Sequence, residues 1–392
     1  MALTDTPQAA PQLAPMGMFY FFSFGGLGAL FPYLPLLLSA RGLDAVQISW
    51  VMVLNPLSNL LIPPLWSAAA DMINARLVLL QAASIGCGVG CLVLLPGWGL
   101  WGNLLGMAVL SFFRAPLTSL ADAAVQSALG DQRARFGKVR VWGSVGFALC
   151  AFTLGRLKGS LQPRLLLSVT AGIYVAAALA LAPLRKPPYH RKHNVVRQSL
   201  QALRNAPMLL LLGASSLYYI GHSTYDVYFG LYMHQLGFSD GFVGVAWGVG
   251  VGVEVGVMLL APRLLVRVQS GPLLCLCAGV ATVRWLLLSQ RTGATALLMT
   301  QMLHGVTFGL WYLSLVQYVQ KRAPDHLRTS LQSMIVASMG LGMVVGYLGG
   351  GVVFRSRGGT WLYVEAAACA ASAFVVYLVA LMLDRRRVQR SR

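Results

Sequence analysis

Twelve times along its 392 residues this chain runs apolar for about 20 residues, the length a helix needs to cross a bilayer. Lipid offers no hydrogen bonds, so each such stretch must satisfy its own backbone, and a helix does that within the segment. The stretches lie near 16–39, 45–69, 76–96, 100–129, 138–158, 163–184, 207–236, 240–267, 271–290, 294–322, 328–355 and 359–384. Only 10% of the residues are charged and 57% are hydrophobic, whereas a soluble domain carries about 25% charged residues. The expected fold class is an all-α membrane protein of twelve transmembrane helices.

The few charges orient the chain. Of its thirty Lys and Arg, twenty fall on one side of the spans and in the tail, and seven on the other. The positive side is the inner one, so both termini are expected in the cytoplasm and the chain in the inner membrane. A net charge of +19 is therefore a membrane signature here, and no nucleic-acid partner is expected. The opening MALTDTPQAAPQLAP lacks the basic start of a signal peptide, so the N-terminus is expected to begin inside without cleavage.

The longest polar segment, RKPPYHRKHNVVRQSLQALRNAP (185–207), follows the sixth span. It suggests a six-helix bundle over 1–184, a cytoplasmic basic linker over 185–206, and a second bundle with a basic tail over 207–392. Two parallel repeats of this kind would hold a solute site near midplane in a central cavity. The fifth helix of each half is rich in glycine: GSVG (143–146) in one, Gly342, Gly346 and Gly350 in the other. Such spacing allows close helix packing or a sliding surface. All six cysteines lie in apolar runs and read as packing residues, with no metal set among them.

Three basic residues remain inside the spans: Arg114, Arg140 and Arg284. Facing them are Asp122, Asp226, Glu254 and Glu365, with His222 and His304. Ionisable groups at membrane depth turn inward, pair with one another and mark function. Arg114 and Glu365 lie nearer span ends and could snorkel. Helical spacing puts Trp247 and Glu254 on one face, Gln301, His304, Phe308 and Trp311 on another, and Tyr218, His222, Tyr225, Asp226 and Phe229 on a third. Arg140, Ser144 and Phe147 align likewise. Polar tips among aromatic faces suit a small, partly apolar organic solute, although such stripes are also ordinary core packing.

ARFGKVRVWGSVGFALCA (134–151), GVEVGVMLLAP (252–262), TVRWLLL (282–288) and LHGVTFG (303–309) resemble the major facilitator superfamily. More narrowly they are similar to the group containing lactose permease and the phenylpropionic-acid permeases, and the likeness runs over nearly the whole chain. The resemblance implies the major facilitator fold, proton symport and a small-molecule substrate. It implies substrate contacts at Asp122 and Arg140, with Phe147 where the sugar permease stacks a tryptophan. Glu254, Arg284 and His304 match that family's helix 8 glutamate, helix 9 arginine and helix 10 histidine, and Asp226 lies near its helix 7 aspartate. Trp247 and Trp311 are expected to join the substrate site. Thr307 stands where the permease carries its titrating glutamate, which leaves Glu254 or Asp226 to take the proton. The loop 2–3 signature survives only as SAAADMINAR (67–76), retaining Asp71 and Arg76 as a gating loop.

The expected function is proton-coupled import of a small organic solute by alternating access, with an aromatic carboxylate such as phenylpropionate favoured. A sugar or nucleoside symporter, or an exporter, is the alternative. A monomer in the bilayer is expected, with no cofactor or metal beyond the proton gradient. A membrane acyltransferase would have to use His222 and Asp226 as a pair, yet no nucleophile, metal set or phosphate loop accompanies them, so an enzyme is not expected.

Overall fold

Helices account for nearly all of the backbone, and no strand occurs among the described residues, as a chain immersed in lipid requires. The computed structural model describes residues 13–73, 75–129, 136–156, 162–184, 206–322 and 328–390. The helices are α1 (Leu13–Leu30), α2 (Leu34–Ala40), α3 (Ala45–Ile73), α4 (Arg76–Val93), α5 (Gly99–Leu129), α6 (Phe136–Arg156) and α7 (Pro163–Ala180). They continue with α8 (Ala206–Gln235), α9 (Asp240–Arg267), α10 (Ser270–Ser289), α11 (Ala294–Met302), a π-helical turn (Gly305–Leu310), α12 (Trp311–Arg322) and α13 (Arg328–Arg390). The short α2 continues α1 as one span, and α11, the π turn and α12 form another. Gly358, at φ 80° and ψ 177°, breaks α13 into two. The result is the expected twelve-helix, all-α membrane fold.

Eight of these segments are long and apolar enough to cross a membrane on those grounds alone, and one of the eight contains the Gly358 break. The spans that fall short are α6, α8 and the interrupted α11–α12. Those are the helices bearing Arg140, then His222 and Asp226, then Gln301 and His304. The last of these falls short by length, because the π turn divides it into helices of 9 and 12 residues.

By contact the chain forms two compact units, one of Met1–Leu37 with Ser58–Lys192 and one of Leu38–Leu57 with His193–Arg392. In the first, α1 crosses α6 closely. A Cβ on Gly28 would meet the Phe147 backbone, and one on Gly146 would strike the Phe21 carbonyl. In the second, Gly342, Gly346 and Gly350 all face α8, so this glycine row is a packing seam.

Residues 38–57 thus cluster with the second unit rather than within 1–184. Asp44 opens α3 with a capping box: its carboxylate accepts from the backbone of Val46 (2.8 Å) and Gln47 (2.9 Å), and Gln47 Oε1 accepts from its N–H (3.1 Å). The Gln47 backbone N–H, foremost, holds this exposed carboxyl below the usual carboxylate range. Arg355 of α13 reaches Asp44 Oδ2 at 3.4 Å, and Gly351, without a side chain, lets α13 lie on Ala45 and Ser49. The basic linker expected over 185–206 lies, up to residue 205, outside the described residues.

Two glycines three residues apart give a test of the seam. A Cβ at Gly346 would lie 2.5 Å from the Ile220 carbonyl, whereas Gly349 has nothing within 4 Å. Gly346→Leu is expected to lower unfolding free energy in detergent by about 1–3 kcal/mol, and Gly349→Leu to leave it unchanged. Equal thermal midpoints for the two variants would show that the seam is not close-packed.

Candidate solute and proton site

The second unit is organised around one guanidinium. Arg284 of α10 has no exposed surface. Its Nε donates to the Thr300 carbonyl (3.1 Å), and Nη1 donates to His304 Nδ1 (3.2 Å) and to Thr307 Oγ1 (2.9 Å). Nη2 donates to Gln301 Oε1 (3.1 Å), which also accepts from the Tyr225 hydroxyl (2.8 Å). The flat faces rest near the rings of Tyr225 (4.8 Å) and Trp285 (4.6 Å). Every acceptor comes from the tenth span, so this cation binds α10 to that span.

The acceptors decide the state of His304. A guanidinium only donates, so Nδ1 must accept, and the neutral ring carries its proton on Nε2. That nitrogen faces Glu254 Oε2 of α9 at 3.4 Å. Contacts therefore run from Arg284 through His304 to Glu254, the first a hydrogen bond and the second a 3.4 Å approach. Among the described residues Arg284 makes no ion pair with Glu254 or Asp226; the histidine stands between cation and carboxylate. Gly250 and Gly309 make room for this contact, each placing open backbone against His304 or Glu254.

The π turn is part of the same construction. The Trp311 N–H bonds to the carbonyls of Val306 and Phe308, bypassing Thr307. The Thr307 carbonyl so released accepts from the Tyr218 hydroxyl at 2.5 Å. Turns of this kind concentrate at functional sites because they re-aim side chains, and here Thr307 Oγ1 turns to Arg284. The expected stripe of Gln301, His304, Phe308 and Trp311 assumed a regular helix. Instead Trp311 is fully buried, stacks on Tyr218 (4.6 Å) and donates to the Tyr377 hydroxyl (3.0 Å). Trp311 thus stands between Tyr377 and Tyr218, and the hydroxyl of Tyr218 joins that ring to the Thr307 carbonyl.

In the first unit, Asp122 of α5 and Arg140 of α6 meet at 4.0 Å, with side chains 33% and 30% exposed. The Tyr20 hydroxyl of α1 donates to Asp122 Oδ1 at 2.5 Å. The Arg140 guanidinium lies over the rings of Phe24 (4.0 Å) and Tyr20 (5.3 Å). The close α1–α6 crossing over Gly28 and Gly146 allows this placement. Half-buried Phe147 sits in the same crossing, its backbone against Gly28.

Other expected residues are placed as follows. Trp247 lies 4.8 Å from the Tyr225 ring, so it and Glu254 both reach the Arg284 cluster, as their shared face implies. Asp226 is half-buried beside that cluster, within electrostatic reach of Arg284. His222 stacks on His304 (5.5 Å) and Phe308 (5.4 Å), and among the described residues makes no bond to Asp226, so the pair an enzyme would need is not assembled. Arg114, expected near a span end, lies in the middle of the 31-residue α5 and donates to Asn59 Oδ1 (2.9 Å). Glu365 pairs at 3.5 Å with exposed Arg357, beside the Gly358 break and so at a span end. Arg76 opens α4, while the Asp71 side chain lies outside the described residues. Sequence reasoning missed Tyr20 and Phe24, which sit in an unbroken apolar run with no polar spacing to mark them. It noted Gln301 and Thr307 without assigning them to Arg284, although their spacing around His304 was visible.

Residues 13–364 match the MFS_1 like family. The chain is 30% identical over 357 residues to the maltose permease of Geobacillus stearothermophilus, covering 87% of this chain and 88% of that protein. It is 29% identical to the probable 3-phenylpropionic acid transporter of Escherichia coli (strain K12), covering 77% and 80%. The crystal structure of the nucleoside transporter NupG superposes with a TM-score of 0.82 at 16% identity, covering 95% of this chain and 98% of that one, a likeness of fold.

If the Arg284 chain is one electrostatic unit, its ends are energetically coupled. Arg284→Met removes the cation at the far end of this chain from buried Glu254, together with four hydrogen bonds, which is expected to cost about 3–5 kcal/mol of stability. The double variant Arg284→Met/Glu254→Gln removes both charges and should recover a substantial part of that loss in a thermal-unfolding cycle. Simple additivity of the two single variants would show the ends to be independent.

Proposed function

The chain belongs to the MFS_1 like family, and from that premise we propose that this multi-pass membrane transporter is a proton-coupled symporter of a small hydroxylated solute. One observation carries the proposal: a carboxylate–guanidinium pair about one-third exposed in one unit, and a buried guanidinium–imidazole–carboxylate chain in the other.

The coupling role falls to Glu254. A proton arriving at His304 Nδ1 would have to displace Arg284, because two donors cannot share that contact. A proton arriving at Glu254 meets no such obstacle. It removes the carboxylate that His304 Nε2–H faces and so loosens the hold of α9 on the tenth span. Proton binding and helix separation are thereby linked, as alternating access requires. Asp226, beside Arg284, is the second candidate.

The solute class follows from the first unit. Asp122 offers an acceptor and Arg140 offers donors. A hydroxyl can satisfy both, since it gives one hydrogen bond and receives another. A carboxylate solute has no proton to give Asp122 and would face its charge. The 30%-identical maltose permease supports a sugar-like solute, and the NupG fold is compatible with a nucleoside. The aromatic carboxylate stays as a second reading because the rings of Tyr20 and Phe24 flank Arg140, and one relative is a probable 3-phenylpropionic acid transporter. We assign Phe147, Trp247 and Trp311 supporting roles around these groups, and the gate to Asp71 and Arg76. The protein works as a monomer in the inner membrane, with both termini cytoplasmic.

Reconstituted protein under an imposed proton gradient tests the reading with labelled maltose, uridine and 3-phenylpropionate. Accumulation of maltose or uridine is expected. Accumulation of 3-phenylpropionate alone would select the second reading. Glu254→Gln, a mimic of the protonated form, should retain solute exchange at equilibrium and lose gradient-driven accumulation. If the variant still accumulates solute uphill, Glu254 is not the coupling group and Asp226→Asn becomes decisive.

A further inference from the structure

Tyr20 is fully buried in α1, yet its hydroxyl reaches a carboxylate that is one-third exposed. It donates to Asp122 Oδ1, the same oxygen that Arg140 Nε faces at 4.0 Å. Both neighbours of the carboxylate therefore lie on one oxygen. Among the described residues, Oδ2 accepts no hydrogen bond. Arg140 is held by its flat face over the rings of Phe24 and Tyr20, and its N–H groups donate to no described residue. The pair thus presents one open acceptor beside open donors, and the side chain that imposes this asymmetry is Tyr20.

We infer that Tyr20 is a positioning residue that sets solute selectivity: by occupying Asp122 Oδ1 it fixes the carboxylate so that Oδ2 alone meets the solute, beside the donor edge of Arg140. The inference rests on the reading of Asp122 and Arg140 as the solute site. A single fixed acceptor next to a donor fits two neighbouring hydroxyls, one giving its proton to Oδ2 and the other receiving from Arg140. A solute lacking one of the two leaves a polar group unpaired, and such a site rejects it strongly. A carboxylate free to rotate could offer either oxygen to whichever hydroxyl remained, and would reject it less. The Tyr20 ring, in contrast, serves packing and the face of Arg140, and phenylalanine can supply both.

The test compares uptake of uridine with 2′-deoxyuridine, and of maltose with 2-deoxymaltose, in the native protein and Tyr20→Phe. The variant is expected to raise KM for the full solute up to about tenfold, the cost of ordering on binding a carboxylate that Tyr20 no longer fixes, at an unchanged maximal rate. Discrimination against the deoxy solute should fall by a similar factor. A merely structural role would raise both KM values together and leave discrimination as it was, which would overturn the inference. A second variant pair guards against a folding defect in Tyr20→Phe. In Asp122→Asn, Tyr20 still bonds the amide oxygen and turns the NH2 outward, so uptake should be lost. In Tyr20→Phe/Asp122→Asn the amide is free to turn its oxygen to the solute, and part of the uptake should return. No recovery in the double variant would also count against Tyr20. If the native protein takes up neither uridine nor maltose, or Asp122→Asn leaves KM unchanged, the solute-site reading fails and this inference with it.

Discussion

A guanidinium cannot give up its proton and cannot accept a hydrogen bond, and in this chain one is placed where no water reaches it. Much of the second unit answers that constraint. Burying an unpaired charge is prohibitive, so the chain must bring acceptors to Arg284 from nearby backbone and side chains. It finds them along one helical stretch: the Thr300 carbonyl, Gln301, His304 and Thr307. The π turn is intelligible in these terms. It turns Thr307 Oγ1 toward Arg284 and releases the Thr307 carbonyl, which Tyr218 then satisfies.

The two units treat their cations alike in one respect and differently in another. Each arginine lies over aromatic rings, Arg140 over Phe24 and Tyr20 and Arg284 over Tyr225 and Trp285, contacts that suit a weakly hydrated planar ion. A neighbouring side chain also approaches a carboxylate in each unit: Tyr20 donates to Asp122, and His304 Nε2 lies 3.4 Å from Glu254. Exposure separates them. Arg284 spends four of its five N–H donors within the protein, whereas Arg140 and Asp122 keep about a third of their side chains open. A committed cluster can store a proton, and an uncommitted pair can bind something from outside.

What the sequence revealed follows the same physics. The twelve spans were legible because lipid demands continuous apolar helix. Asp122, Arg140, Glu254, Arg284 and His304 were legible because a charge in an apolar run is costly and conspicuous. Tyr20 was not: a tyrosine in MFYFFSF looks like any other large apolar residue, and only its approach to α5 across α1 reveals a donor. The π turn was equally hidden, since LHGVTFGLW keeps an acceptable α-helical pattern and the widening depends on Tyr218 waiting at the released carbonyl. The clustering of residues 38–57 with the second unit escaped notice too. The cap at Asp44 could be read locally, but its meeting with Arg355 joins residues 311 positions apart.

That last contact shows why a division by sequence and a division by packing need not coincide. Span order assigns α3 to the first half, and chain connectivity keeps it there. Packing is decided by whichever neighbour offers the better surface, and Gly351 offers α13 a place where Ala45 and Ser49 meet open backbone. The capping box then holds the start of α3 in register, so that the Asp44 carboxylate, already engaged by its own backbone, still has Oδ2 free for Arg355. An exposed ion pair of this kind contributes little to stability on its own. The contact beneath it is the tighter one: a Cβ on Gly351 would lie 2.8 Å from the Ala45 carbonyl and 2.9 Å from Ser49 Cβ, so the bare glycine backbone is what lets the two helices meet. The buried cluster around Arg284 is held differently, by four hydrogen bonds from one guanidinium to a single helical stretch.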